Sequence, residues 1–180
     1  GARLWGANAV NGVINVITRA ARDTQGVLAA GGVGNRDRVG SVRYGGKLGA
    51  SGHYPVYGRD LELQNTRREN GTSAPDGWRK RQAGFRADWG APSRNFTVQG
   101  DAYSGKAEAR PVGGAVEVSG MNLLARWKEQ FSSGSDIRVQ AYYDRSERVD
   151  RTGFQGDVNT IDLEFQHGVP LGDHRLLWGA

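Results

Sequence analysis

Five basic residues bracket the longest polar stretch of the chain. Arg67 and Arg68 lie within it, Arg79, Lys80 and Arg81 follow it, and Pro75-Asp76-Gly77 stands between the two groups. Planar guanidinium forks donate to carboxylate or phosphate oxygens two at a time. The chemistry on offer is therefore capture of an anion, and three occupants fit it: an anionic solute, the phosphates of a lipid headgroup, or plain water around a charge run.

The remaining titratable residues do not assemble a reaction centre. His53, His167 and His174 are the only histidines, and none stands at metal-ligand spacing with other donors. Asp60 with Glu62, and Asp162 with Glu164, share a strand face, which suits a charged wall better than an acid–base pair. Gly31-Gly32-Val33-Gly34 opens like a dinucleotide loop, but the third glycine position is Asp37 and no helix follows. Cysteine is absent, so neither disulfides nor thiolate chemistry can operate. No catalytic residue, metal site or cofactor is expected, and the protein reads as a non-enzyme.

The elements that would hold the basic residues follow from composition and period. Among 180 residues there are 28 glycines, and mean hydropathy is -0.60, which favours many short strands and turns over a helical bundle. The net charge, 24 basic against 19 acidic residues for +5, is mixed along the chain and gives little reason to propose a nucleic-acid surface. No apolar run reaches the ~18 residues of a membrane-spanning helix. A barrel that spreads its apolar surface over alternate residues escapes that test.

Alternation dominates from residue 26 onward. Val42 and Tyr44 oppose Ser41, Arg43 and Lys47; Phe85, Ala87 and Trp89 oppose Arg86 and Asp88. Phe96, Val98 and Ala102 oppose Thr97, Gln99 and Asp101, while Leu123, Ala125 and Trp127 oppose Asn122, Arg126 and Lys128. Ile137, Val139, Ala141 and Tyr143 oppose Arg138, Gln140 and Asp144, and Ile161, Leu163 and Phe165 oppose Asp162, Glu164 and Gln166. Period 2 with one apolar and one ionic face predicts about nine antiparallel strands, the ninth cut short. Pro55 should interrupt the ladder of its strand. Short connections (90–95, 131–136, 168–173) are expected to alternate with longer ones (64–78, 110–116, 151–157), and aromatics gather near strand ends.

The first 25 residues differ from the rest. Val13 to Thr18 is an apolar, mostly β-branched run broken only by Asn15, preceded by the turn dipeptide Asn11-Gly12. It reads as a strand buried on both faces. With its approach it spells Leu-Trp-Gly-Ala-Asn-Ala-Val-Asn-Gly-Val-Ile-Asn-Val-Ile-Thr-Arg, carrying Trp5, Gly6, Asn8, Gly12, Asn15 and Thr18. This stretch resembles the closing segment of the plug domain of TonB-dependent outer-membrane receptors, with Val16 as a mild departure.

That resemblance implies an all-β chain in two parts. Residues 1–25 would end the plug, and residues 26–180 would form the N-terminal portion of a transmembrane β-barrel, under half of the ~22 strands of a plugged transporter. Both ends read as cut, so the sequence is expected to be a fragment of a longer protein. The whole would lie in the bacterial outer membrane, in contact with lipid and lipopolysaccharide. It would import a scarce nutrient such as a ferric siderophore or cobalamin, driven by the TonB energy-coupling protein acting on a missing N-terminal segment. The plug strand would lie against Arg43, Arg86, Asp88, Asp101, Arg126 and Arg138. Two rivals remain open: a passive outer-membrane channel, and a soluble β-sandwich binding module.

Overall fold

A computed structural model of the chain describes residues 18–108, 114–151 and 153–180. It contains one antiparallel sheet of nine strands in strict sequence order, a meander in which every strand pairs with its chain neighbours. After a 3-10 turn at Ala21–Thr24 come β1 (Gly26–Val33), β2 (Asp37–Leu48), β3 (Gly52–Leu63), β4 (Trp78–Ala91) and β5 (Arg94–Ala107). Then follow β6 (Val116–Gln130), β7 (Asp136–Asp150), β8 (Phe154–Leu171) and β9 (His174–Gly179). The sheet is open, with β1 and β9 as its edges. The expected strand Val13 to Thr18 lies outside the described residues except for Thr18.

Local chemistry accounts for the ladder and for its faults. The two-residue turn between β4 and β5 follows Gly90, whose φ of +99° and crowding against the Arg94 carbonyl leave no room for a side chain. Pro55 leaves a gap in the β3–β4 ladder between His53↔Asp88 and Val56↔Phe85 without changing the register, because it brings no N–H to donate.

Two boundaries differ from expectation. The connection after β7 is short, residues 151–153, because Gln155, Gly156 and Asp157 pair with Val149, Arg148 and Glu147. Its polar composition read as loop, yet cross-strand partners extend the hairpin. For the same reason β8 runs past Gly168 to Leu171, and the turn shrinks to Gly172 and Asp173. The strands β2 to β8 are 12 to 18 residues long, beyond the usual 5–6 of soluble sheets.

Register places all the alternating apolar residues on one face. Across β4 to β8, Phe85, Gly100, Leu123, Tyr143 and Ile161 form one row. Nearer the tightly turned end lies another row: Trp89, Phe96, Trp127, Val139 and Phe165. These side chains do not meet in a core. Among the described residues the only buried apolar ones are Ala21 and Ala87, and no large side chain is fully enclosed. Ile161 is 82% exposed and Leu163 71%. The ionic face is the better covered of the two, since Thr97 is 4% exposed and Thr24, which packs over it, 6%.

Candidate functional site

The covered part of the sheet is the polar face at β2 to β5, where residues 18–24 are seated. The chain approaches here because Gly45 has no side chain; a Cβ there would strike the Thr24 carbonyl. Thr24 closes the 3-10 turn with its own hydroxyl, which donates to the Ala21 carbonyl at 2.9 Å. The turn leaves the Ala21 amide free to donate to Asp88 Oδ2 at 2.7 Å.

Asp88 is the hub of this contact. Its carboxylate also accepts from Thr97 Oγ1 at 2.7 Å and from Arg86 Nε at 3.0 and 2.9 Å. Arg86 in turn donates from Nη1 to Thr18 Oγ1 at 2.6 Å. One acid and one guanidinium on alternate residues of β4 thus grip both ends of the segment 18–21. Charge-assisted bonds of this kind are about twice as strong as neutral ones. Beside them a cleft of about 340 Å³ is lined by Thr18, Arg43, Tyr57, Arg86, Gln99 and Asp101. Tyr57 donates to Asp101 and accepts from Gln82 Nε2 at 2.9 Å.

Of the residues expected to face the N-terminal segment, Arg86 contacts Thr18, and Asp88 contacts Ala21 in the linker that follows. Trp5, Gly6, Asn8, Gly12 and Asn15 lie outside the described residues. Gly45 and Thr97 carried no distinguishing signal in the sequence. Their roles arise from what crosses over them.

The five basic residues do not converge. Arg79 and Arg81 lie on the same side of the sheet as the apolar residues, with Asp60, to which Arg79 is bound bidentately at 3.0 and 2.5 Å and Arg81 at 3.4 Å. Lys80 points to the opposite face, its Nζ 4.6 Å from the centre of the Tyr103 ring. Arg67 pairs with Ser73 and Arg68 with Thr72 through the backbone, in a small hairpin tipped by Gly71. Strand parity decides this separation, since 79 and 81 alternate with 80.

The connection 64–77 is tied together by one carboxylate. Asp76 accepts from the amide and the hydroxyl of Thr66, both at 2.6 Å, and lies 3.9 Å from Arg36. The Thr66 hydrogen bonds, with Arg36 adding its charge, hold the Asp76 carboxyl below its usual range. A lowered native pKa means a contribution present above the unfolded value, near 3.8, and lost as pH falls through the native one. Limited trypsin cleavage after Arg67 and Arg68 should accordingly rise several-fold in Asp76→Ala at neutral pH. Amide exchange at Thr66 should quicken in the native protein only below about pH 4.

Among the described residues no group of three or more His, Asp or Glu side chains is placed to hold a metal ion. No family model, curated protein or solved structure matches the chain.

Proposed function

We propose that this chain is the junction of plug and barrel in a TonB-dependent outer-membrane receptor, which binds a scarce nutrient outside the cell and imports it. The nutrient is of the ferric siderophore or cobalamin type, and import is driven by a TonB protein pulling on the plug. One observation carries the reading: the apolar face gives way to an ionic one over successive register rows, at the same level on neighbouring strands. The last wholly apolar row is Phe85, Gly100, Leu123 and Tyr143; the next, Ala83, Ala102, Met121 and Arg145, carries one cation, and Arg81, Ser104, Ser119 and Glu147 follow it. Beyond them stand Arg79, Lys106 and Glu117, with Val149 at the β7 end of the row. At the other end the belt finishes in the Trp89–Phe96 pair and then Arg94 bound to Glu129.

A band bounded on both sides in this way matches the lipid-facing surface of a membrane barrel. A soluble sandwich would need these side chains to meet in a dry interior, and they do not. The segment 18–24 supports a plug over a passive channel, because it holds the polar face through hydrogen bonds that water can replace at small net cost. Small cost per bond is what a movable plug needs.

Sidedness tests the proposal. Glu69 is exposed in the long connection, and it accepts a side chain better than Gly71, whose φ is +80°. In the full-length protein on intact cells, Glu69→Cys is expected to react with an impermeant maleimide, and Ser133→Cys only after the cells are broken. Labelling of Ser133→Cys alone would reverse the topology. Equal labelling of both in a soluble fraction would remove the membrane altogether. Ready swelling of liposomes by the purified protein would favour the passive channel.

A further inference from the structure

We infer that the polar face carries an anion site at Arg126, Lys128 and Arg138, where the basic connection 64–81 does not assemble one. The proposal rests on the import reading, because it places this site on the enclosed side of the sheet. Arg126 and Lys128 are successive inward residues of β6, and Arg138 lies directly opposite Lys128 in the β6–β7 register. Three cations thus meet on two adjacent strands and repel one another. Compensation is thin. Arg138 has Glu164 at 3.5 Å, Arg126 has only the Gln140 amide oxygen at 2.8 Å, and Lys128 has no ion pair among the described residues.

Two other acids on this face are already engaged: Asp136, two residues from Arg138 and lining the same hollow, is paired with Arg175, and Asp88 is held by Arg86, Thr97 and Ala21. Arg138 Nε is buried without a hydrogen-bond partner, a donor that a bound oxygen would satisfy. Residues 1–17 contain no Asp or Glu that could fill the role. Around the cations the register sets uncharged polar groups, Asn95 and Thr97 on β5 and Gln166 on β8. Cations ringed by amides and a hydroxyl suit a solute with several closely spaced oxyanion groups, of the polycarboxylate or polyphosphate kind.

The site lies toward the tight turns, the end opposite Arg67 and Arg68. An anion entering past the long connection would meet it on the way through, so it acts as a transit station near the exit.

Citrate and pyrophosphate serve as probes, titrated calorimetrically into the detergent-solubilised full-length protein at low salt. Arg126→Gln and Lys128→Gln should each weaken binding about tenfold or more, the loss of one charge-assisted contact. Arg148→Gln, on the same face but near the other end of β7, should leave it unchanged. Preference for one probe tells carboxylate from phosphate. No binding by the parent protein, or an equal loss in all three variants, overturns the site. So does a crosslink from Lys128→Cys to an acidic segment elsewhere in the protein, since that segment would then be the occupant. Detergent-dependent solubility and Glu69→Cys labelling are read on the same samples, so a failed membrane reading is seen separately.

Discussion

Leu123→Arg is expected to cost the folded protein about 2–4 kcal/mol in a bilayer, the price of a cation near the lipid midplane. Leu123 is 47% exposed and lies mid-belt, between Gly100 on β5 and Tyr143 on β7. If water covered this face, the same change at an exposed position would stay within about 0.5 kcal/mol. The two surroundings therefore predict effects several-fold apart. Ile161→Arg, in the same row two strands away, should behave alike, and the double variant should lose roughly 4–8 kcal/mol because the two sites do not pair directly.

The control is one residue away. Asn122 faces the other side, between Asp101 and Asp144 in the register, so Asn122→Arg gains two carboxylate neighbours and should be tolerated. Denaturant unfolding of the full-length protein from lipid vesicles reads all four variants. Equal tolerance of Leu123→Arg and Asn122→Arg would end the lipid interpretation of the belt.

How far the chain could be read beforehand depended on which property is local. Alternation is local, so the residues assigned to the two faces of β2 and β4 to β8 share those faces in the sheet, and Pro55 does interrupt its ladder. Loop boundaries are not local. Residues 151–157 look like a loop until Gly156 and Asp157 find partners on β7. The level at which the outward face turns ionic also emerges only from register, since each strand taken alone shows its charges at a different sequence offset.

The basic group illustrates both kinds of information. That Lys80 must oppose Arg79 and Arg81 was implied by parity, but Asp60 as their partner belongs to a neighbouring strand. The 3-10 turn at Ala21–Thr24 had no periodic signal, and only the missing side chain at Gly45 and the carboxylate of Asp88 fix where it sits.

Asp88→Ala tests that anchorage. The substitution removes the acceptor of the Ala21 amide, of the Thr97 hydroxyl and of Arg86 at once. The two charged side chains are only 13% and 22% exposed, so Arg86 would be left largely out of water without a counterion. Breaking a buried ion pair on one side costs 3–5 kcal/mol, and the residual exposure together with the Thr18 and Gln99 contacts of Arg86 places this case near the low end, about 3 kcal/mol. Asp88→Asn keeps an oxygen of the same shape and should cost roughly half as much. Adding Arg86→Gln to Asp88→Asn should recover part of the loss, because no unpaired charge then remains.

Global stability alone would not locate the effect, so amide exchange supplies the second reading. Exchange at Ala21 and Asp23 should accelerate far more in Asp88→Ala than exchange in β6 to β8, because the acid joins the segment to β4 and touches none of those strands. A variant that loosened β6 to β8 equally, or left Ala21 as protected as before, would show that the sheet and the segment are held by something else. The force argument depends on the same point. If a pull arrives along the chain from its N-terminal side, Arg86 and Asp88 are the first fixtures it meets among the described residues, and they set where motion of the segment would stop and the sheet begin.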